Sequence, residues 1–533
     1  MCIAAVALLT ISCLDERPHD RIDEDKLLST PEQIYRNTVA ALYSQIGGNK
    51  MSQGLQGTER GIYDLNTLTT DEAMLPTRGG DWYDGGLWQS MYLHTWDGGL
   101  SPAGDAWNYL FRAIVLCNEA QSLVDEHRSK LSSDQYDSYS NEIRALRCLF
   151  YYYVLDLYAR VPYLDHYVTD LKDSPQLERS QLFYRLYNDL YESLTLLRQE
   201  RSNAPGPYYG RITRDVAFFL LAKMALNAEV WTDDVWTDDS RPDGKTIMLK
   251  TPVGDKNAWE ACLYWCDLLG TNNKLEEEYE DNFKVHNEDS KENIFVIPMD
   301  KNEYTNIFRY LHRSYHYSHG AALGMACENG TCATVSTANT FGYGTENEDS
   351  RWEKNFYSDE VFENNKPVLL DDGTPLIYRP LEVALDLSGT KYEKTAGARM
   401  KKYENDPTAL NDGLLVDNDI VLFRYADVLL MESEALWRLG WEAEALVPIN
   451  MVRSRADMDL LTSIDEQTIL DERLKELAWE GWRRQDLIRF DRYHKAYDQR
   501  PQAPGEADRH TIVFPIQGRL FKMNDTYTQN PGY

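Results

Sequence analysis

Aromatic rings and carboxylates are concentrated in one glycine-rich stretch, residues 70–97. Its glycine pairs and its proline prevent a long helix, so its side chains stand on a loop, where they are displayed rather than packed. A sugar ring has one face of C–H groups and a rim of hydroxyls, so a flat aromatic side chain can cover the face while Asp, Asn or Arg bonds the rim. The candidates for this chemistry are Arg78, Asp81, Trp82, Trp88 and Trp96. The alternative is that the three tryptophans are core anchors.

A second ring-rich region, residues 302–402, lacks sustained helical periodicity. Long irregular connections in a compact protein are usually functional, so we expect rings from residues 304–352 to complete the surface that the first loop begins. The rings and histidines of this region include Tyr310, His312, Tyr315, His316, Tyr317 and Trp352, together with the three we select as binding residues, Tyr304, Phe341 and Tyr343.

The elements that must position these loops are helices. Ser132 with Gln135 predicts a capping box, and Thr30 with Gln33 predicts another, with Pro31 in the first turn. Near the other end, residues 419–440 place apolar side chains at helical spacing and stop at Gly440. The apolar positions of that segment are Val421, Tyr425, Val428, Leu429 and Leu436.

A helix of about 30 Å, a glycine turn and a second helix form the unit of a helical-hairpin array such as a tetratricopeptide stack. Pro448 falls inside the second helix, where it removes a backbone hydrogen bond and argues against a straight helix. Residues 293–298 predict a short strand bounded by proline.

Four motifs follow one another in the C-terminal region. Residues 424–436 read RYADVLLMESEAL, residues 449–456 read IN-x-VR-x-RA, residues 472–483 read ERLKELAWEG-x-R, and residues 486–489 read DL-x-R. In this order they resemble the signature of the SusD/RagB family, surface glycan-binding lipoproteins of Bacteroidetes that partner TonB-dependent transporters. The resemblance extends over essentially the whole chain, to residues 529–533.

The resemblance implies a mainly α, SusD-like fold: tetratricopeptide-like helical hairpins plus an irregular, loop-rich lobe with a few short strands. It implies an N-terminal helical region, 25–230, with the glycan-binding loop at 70–97. A C-terminal region, 255–533, would contain the irregular lobe, 300–402, and a helical core, 419–492.

The first loop resembles the family segment DE…PTRG-x-DW, which builds part of the glycan site in many SusD-like proteins. Carried over, Trp82 becomes the stacking platform, and Arg78 and Asp81 become a donor and an acceptor for sugar hydroxyls. Asp71 and Glu72 also match the segment, and a structural role supporting the loop is the alternative for both.

Residues 1–13 form an apolar run that is too short to span a bilayer but is typical of a signal-peptide core. Ser12 before Cys13 fits a lipoprotein cleavage site, and Leu14-Asp15-Glu16 resembles the acidic export tag of surface lipoproteins. We therefore predict a signal ending at a lipidated Cys13, and anchoring in the outer membrane facing the cell exterior.

The net charge of −31 argues against nucleic acid, because phosphate contacts need clustered Lys and Arg. The same charge disfavours anionic substrates and lipid headgroups. Cys262 and Cys266, one helical turn apart, indicate buried small hydrophobes more than half of a metal site. Cys327 and Cys332 could close a loop disulfide or remain free.

Together these observations predict a cell-surface lipoprotein that captures oligosaccharide and delivers it to a TonB-dependent, SusC-like transporter, without catalysis, cofactor or metal. Two alternatives stay open: a surface lipoprotein that binds a non-glycan nutrient such as peptide, and a glycoside hydrolase, because 86 acidic residues supply many carboxylate pairs. The sequence contains no Gly-x-Ser-x-Gly, His-Glu-x-x-His, phosphate-loop or dinucleotide motif.

Overall fold

The computed structural model of the chain describes residues 27–168, 170, 172, 174–238, 240–501 and 508–533. Helices dominate this part of the chain. The α-helices are α1 Pro31–Tyr35, α2 Ala41–Tyr43, α3 Ile62–Thr67, α4 Leu87–Leu93, α5 Ser101–Glu126, α6 Ser133–Tyr158, α7 Arg179–Ser193, α8 Arg214–Leu226, α9 Ala228–Trp231, α10 Ala258–Leu269, α11 Tyr310–Ser314, α12 Tyr317–Leu323, α13 Val335–Thr340, α14 Trp352–Asn355, α15 Tyr425–Leu439, α16 Glu442–Arg455, α17 Glu466–Leu477, α18 Arg483–Arg489 and α19 Leu520–Met523.

The strands are short and pair antiparallel in twos: β1 with β7, β2 with β3, β4 with β5, β6 with β14, β8 with β13, β9 with β12 and β10 with β11. Their bounds are β1 Ala73–Met74, β2 Val161–Pro162, β3 Gln176–Leu177, β4 Met248–Leu249, β5 Lys256–Asn257, β6 Asn293–Ile297, β7 Cys332–Ala333, β8 Phe356–Tyr357, β9 Asp359–Glu360, β10 Phe362–Glu363, β11 Lys366–Pro367, β12 Ile377–Tyr378, β13 Arg399–Met400 and β14 Ile420–Arg424.

The long helices pack in a continuous series. Helix α5 packs on α6, α6 on α7, α8 on α10, α10 on α15, and α15 on α16. The capping box at Ser132 and Gln135 is confirmed and starts α6. At Thr30 only half of the predicted box forms, because the Gln33 side chain bonds Ser29 while the Gln33 N–H donates to Thr30. The mainly α, hairpin-based fold class is confirmed.

The prediction that helix α15 begins near Asp419 is wrong. Residues Ile420–Arg424 form strand β14, which pairs with β6 and is buried along its whole length. A short, fully buried apolar run has no distinguishing period, so it resembles a helical segment in the sequence. Helix α15 starts at Tyr425 and ends where Gly440 adopts φ 87°, as its position predicts.

Helix α16 continues through Pro448, which lies inside it. The next helix, α17, starts earlier than its motif because the Asp465 side chain accepts a hydrogen bond from the Thr468 N–H and caps it. Strand β6, at residues 293–297, matches the predicted short strand.

The signature residues form a buried ion network. The fully buried guanidinium of Arg424 donates to Glu292 at 2.8 Å, to Glu476 at 2.6 Å and to Glu480 at 2.8 Å. Burial lowers the pKa of Arg424, but the three glutamates outweigh it and hold that pKa well above its usual range. Breaking such a network strands an unpaired buried charge, so these motif residues hold the fold together rather than contact a ligand.

The irregular lobe consists of short helices and two-residue strands, as its lack of periodicity predicts. Within it, Cys327 and Cys332 are both buried and free. Cys262 and Cys266 are also buried and free, on α10. In the part of the chain that the structure describes, no helix is long and apolar enough to cross a membrane. The predicted signal and Cys13 lie outside the described residues.

Candidate functional site

The loop at residues 70–97 is fixed at its base by bonds to the C-terminal helices. Asp71 accepts two hydrogen bonds of 2.7 Å from Arg483. Glu72 is fully buried and accepts a 2.5 Å hydrogen bond from the Trp479 N–H. Burial raises the pKa of Glu72 to about 8. Both acidic residues therefore take the structural role that the sequence left open.

Beyond this base the loop pairs with the irregular lobe. Strand β1 places Ala73 opposite Ala333 of β7. Farther along, the backbones of Arg78 and Asp81 exchange two hydrogen bonds, which closes a tight turn and aims the residues that follow it outward.

Arg78 lies under this turn and is completely buried. Its guanidinium donates to the backbone carbonyls of Glu393 at 3.0 Å and Ala396 at 2.9 Å. Burial, together with the nearby Arg399, lowers the pKa of Arg78 to about 9. In this structure Arg78 supports the turn from below and offers no surface to a ligand.

Trp82 follows the turn in the left-handed region, with φ 63°. Its indole is half-buried, and its Nε1 donates a 3.0 Å hydrogen bond to the Glu328 carbonyl. The ring lies against Gly330, where an added Cβ would stand 2.9 Å from the indole. The missing side chain at Gly330 thus sets the position of the ring, which is held at one edge and partly open to solvent.

Asp81 stands beside the indole at the surface. Its Oδ2 accepts a 2.6 Å hydrogen bond from the Tyr317 hydroxyl and a 3.0 Å bond from Lys394 Nζ. The Tyr317 bond is the main cause that lowers the pKa of Asp81. Burial and the same bond raise the pKa of Tyr317 to about 12, so the hydroxyl stays protonated and donates.

We name Asp81, Trp82, Tyr83, Tyr317 and Lys394 the platform. The Tyr83 side chain is 57% exposed and that of Tyr317 is 42% exposed. The platform thus combines partly exposed rings with a carboxylate and an ammonium group in direct contact. Rings with polar edges suit a wet surface, and charged groups at the rim can bond hydroxyls.

Trp88 lies behind the platform and is buried. Its Nε1 donates a 2.8 Å hydrogen bond to Asp84, which also accepts one of 2.6 Å from Arg60. The ring of Trp88 meets that of Trp82 edge-on, with centroids 6.3 Å apart. Trp88 therefore supports the platform from within the core.

Trp96 and Phe341 are also buried. Trp96 donates a 2.8 Å hydrogen bond to the Tyr533 hydroxyl and packs near Phe514. Phe341 packs against Trp352 and Phe356. Trp88 and Trp96 thus have the core position that the sequence left as the alternative for tryptophans of this loop. Phe341, which we selected as a binding residue, also lies in the core.

Tyr304 and Tyr343 lie at the surface on other segments. Tyr304 is 47% exposed, on a connection whose Thr305 side chain accepts a hydrogen bond from Asn49. Tyr343 is partly buried, and its hydroxyl donates a 2.8 Å hydrogen bond to Asp359. The contacts of the Tyr343 side chain with Asp359 and Trp352 are made outside the platform.

Two members of the platform, Tyr83 and Lys394, are not among the residues predicted from the sequence, and Tyr317 is not distinguished there from its neighbours. The signal available for Tyr83 is its place directly after Trp82 on the same loop. Lys394 carries no such signal, because only the folded lobe brings residue 394 within 3.0 Å of residue 81.

A helical-hairpin stack that carries an irregular lobe, with a ring-and-carboxylate platform where the 70–97 loop meets that lobe, defines the architecture as SusD-like. The sequence model of the SusD family matches residues 291–533. The starch-binding protein SusD of Bacteroides thetaiotaomicron is 25% identical over 475 residues, covering 82% of this chain and 78% of its own.

Solved structures show the same fold. Surface glycan-binding protein A from Bacteroides uniformis superposes with a TM-score of 0.69 at 17% identity, covering 95% of this chain and 100% of its own. Surface glycan-binding protein A from Bacteroides thetaiotaomicron, in complex with laminarihexaose, gives 0.68 at 19% identity with the same coverage. The resemblance that the C-terminal motifs carry is confirmed by the family model over residues 291–533, and the fold of the chain is that of SusD-like structures.

Proposed function

We propose that this protein is a glycan-binding protein of the cell surface, which holds an oligosaccharide at the platform without cleaving it. The observation that carries the proposal is the contact of Asp81 with both Tyr317 and Lys394 beside the half-exposed indole of Trp82. A ring face can cover the C–H face of a sugar, while the carboxylate and ammonium groups bond its hydroxyls.

The relatives support this class of ligand. One is named for starch binding, and another was solved with a bound laminarin fragment, laminarihexaose. These names describe those proteins, and the platform of this chain supplies its own reason to expect a sugar. Of the predicted binding residues, the proposal retains Asp81 and Trp82 as contacts and gives Arg78 and Trp88 supporting roles.

The test begins with a glycan array, followed by isothermal titration against the best hit. Losing one stacked ring costs about 1–3 kcal/mol, so Trp82→Ala should weaken binding at least several-fold. A matched control is Trp441→Ala, because Trp441 is an exposed tryptophan at the start of α16. Unchanged affinity in a folded Trp82→Ala protein would contradict the proposal, and release of reducing sugar by the wild type would place the protein among hydrolases.

We also propose that the protein is anchored in the outer membrane through a lipid on Cys13 and passes its ligand to a SusC-like, TonB-dependent transporter. The support is the match of residues 291–533 to the SusD family model and the apolar run before Cys13. Mild detergent extraction followed by pull-down should recover a large transporter with this chain. Recovery of the chain alone, under conditions that preserve known complexes of this type, would count against the partnership.

A further inference from the structure

A cavity of about 430 Å³ lies between helix α5, the turn after α6, and the C-terminal helix α19. Small-molecule sites are typically clefts of about 300–1,000 Å³ with apolar walls and a few polar groups, and this cavity falls in that range. Its apolar walls are formed by Trp107, Phe111, Leu116, Leu164, Leu520 and Met523.

Helix α5 supplies one wall, because successive turns of the helix each place an apolar side chain on the same side. The rings of Trp107 and Phe111 stack with centroids 4.3 Å apart. One turn farther, Val115 is 37% exposed, and across the cavity Met523 is 50% exposed. Methionine side chains adapt to varied apolar partners, so this wall can follow the shape of a flexible chain.

Two arginines, Arg112 and Arg519, also line the cavity. The Arg112 guanidinium donates a 3.1 Å hydrogen bond to the Gln45 side-chain oxygen, and that of Arg519 donates to the side-chain oxygen of Asn108. Within the described residues, neither arginine forms an ion pair with a carboxylate.

This arrangement departs from the pattern of the rest of the chain. Acidic residues outnumber basic ones by 86 to 55, and arginines such as Arg424 and Arg483 are paired with carboxylates. Amide oxygens satisfy donors but leave the positive charge uncompensated. The residues that line the cavity include two cations and no acid, so the cavity has local positive charge beside apolar walls.

We propose that this cavity is a second binding site, independent of the platform, for a single-chain amphiphile with an anionic head: a fatty acid. The alkyl chain lies against the apolar walls, where burying each CH₂ group is favourable. The carboxylate lies at Arg112 and Arg519, because the guanidinium fork matches the two oxygens of a carboxylate.

The net charge of −31 does not oppose such a ligand at short range. Ionic strength screens charges beyond a Debye length of about 8 Å in physiological salt. A head group in contact with two guanidinium groups is therefore governed by those groups and not by distant carboxylates. The two arginines also favour an anionic amphiphile over a cationic one of equal chain length, because a cationic head group would meet two like charges.

The test is isothermal titration of the purified full chain with laurate and with dodecyltrimethylammonium, each below its critical micelle concentration. Laurate should bind saturably at one site per chain, and the cationic amphiphile should bind at least tenfold more weakly. Equal binding of both, or no saturable binding of laurate, would overturn the proposal.

The double variant Arg112→Glu, Arg519→Glu should weaken laurate binding at least tenfold, since charge-assisted hydrogen bonds are among the strong ones. Met523→Asp should also weaken it, because it places a charge on the apolar wall. Arg36→Glu, at an exposed arginine that does not line the cavity, is the matched control and should leave affinity unchanged. Unchanged laurate affinity in the double variant, with an unaltered melting temperature, would overturn the assignment of the head-group site.

Discussion

The carboxylate of Asp71 accepts both of its 2.7 Å hydrogen bonds from Arg483, so the loop that carries Trp82 is joined to helix α18 by a bidentate ion pair. The Arg483 side chain is only 3% exposed. A family motif at one end of the chain thereby fixes the loop at the other.

The first prediction concerns this pair. Asp71→Asn leaves the Arg483 charge buried without its partner, so we expect a loss of about 3 kcal/mol in the free energy of unfolding. Urea denaturation measures it. Asp84→Asn is the matched control, because Asp84 pairs with Arg60 at 2.6 Å on the same loop but at the surface, and its loss should stay below about 1 kcal/mol. Equal losses in the two variants would contradict the structural role of Asp71.

The second prediction concerns the pH dependence of glycan binding. The Tyr317 hydroxyl lowers the pKa of Asp81, so the carboxylate stays ionised, and binding is retained, until the pH falls below the usual aspartate range. Tyr317→Phe removes the hydrogen bond, and the acid-side loss of binding should then begin at higher pH. Titrations between about pH 3 and 6 measure the midpoint.

Tyr343→Phe is the control for that experiment, since it removes a similar bond of 2.8 Å, to Asp359, away from the platform. Its midpoint should equal that of the wild type. An identical midpoint in Tyr317→Phe would show that Asp81 does not govern binding.

The third prediction concerns the position of the indole. In Gly330→Ala the new methyl group would stand 2.9 Å from the Trp82 ring, which must shift, so glycan affinity should fall several-fold while the fold is kept. Gly80→Ala is the control, because an added Cβ there meets nothing within 4 Å. Titration with the same glycan compares the two variants, and equal affinities would mean that the ring position is not critical.

The fourth prediction concerns stability and pH. Burial raises the pKa of Glu72 to about 8. Between the ordinary glutamate pKa and about pH 8, the folded protein therefore holds a proton on Glu72 that the unfolded chain has lost. The contribution of Glu72 to stability is therefore full below the ordinary glutamate pKa and falls as pH rises to about 8. The total change is on the order of a few kcal/mol.

Glu72→Gln keeps an oxygen that can accept from the Trp479 N–H and removes the titration. The free energy of unfolding of the variant, relative to that of the wild type, should be higher at pH 8.5 than at pH 5.5. Denaturant midpoints at each pH, corrected for m-values, measure this difference. If the difference in free energy of unfolding between the wild type and Glu72→Gln is the same at both pH values, the raised pKa is refuted.

The fifth prediction concerns the anchor. Cys13→Ser should release the protein from the membrane fraction and abolish labelling with a radioactive fatty acid, because the thiol is the attachment point of a lipoprotein lipid. A variant that stays both membrane-bound and labelled would place the anchor elsewhere. The comparison needs only fractionation and autoradiography of cells expressing either form.

The sequence predicted most of the fold because its strongest signals are local. Gly440 ends α15, and Ser132 with Gln135 starts α6, each through contacts within a few residues. The prediction of the start of α15 is wrong, because the buried strand Ile420–Arg424 is defined by its partner β6, which lies more than a hundred residues earlier.

The site was less predictable for the same reason. Trp82 and Asp81 stand out on a loop that cannot form a long helix, but burial decides which of the other rings contact solvent. The residue types of Trp88 and Phe341 do not distinguish them from exposed aromatic residues. Only the packing of the folded chain shows that they lie in the core. Lys394 contacts Asp81 only in the folded chain, and no local sequence pattern predicts this contact.

The bonds that hold the platform loop have a further consequence for the order of assembly. Asp71 is bonded to Arg483, Glu72 to Trp479, and Arg78 to Ala396, across sequence separations of 412, 407 and 318 residues. Contacts this distant form only after the last part of the chain is present, and their loop-closure entropy makes them late steps of folding. A chain truncated before Arg483 therefore lacks bonds that hold the platform loop, and we expect a ligand of the proposed site to stabilise the completed molecule as a whole.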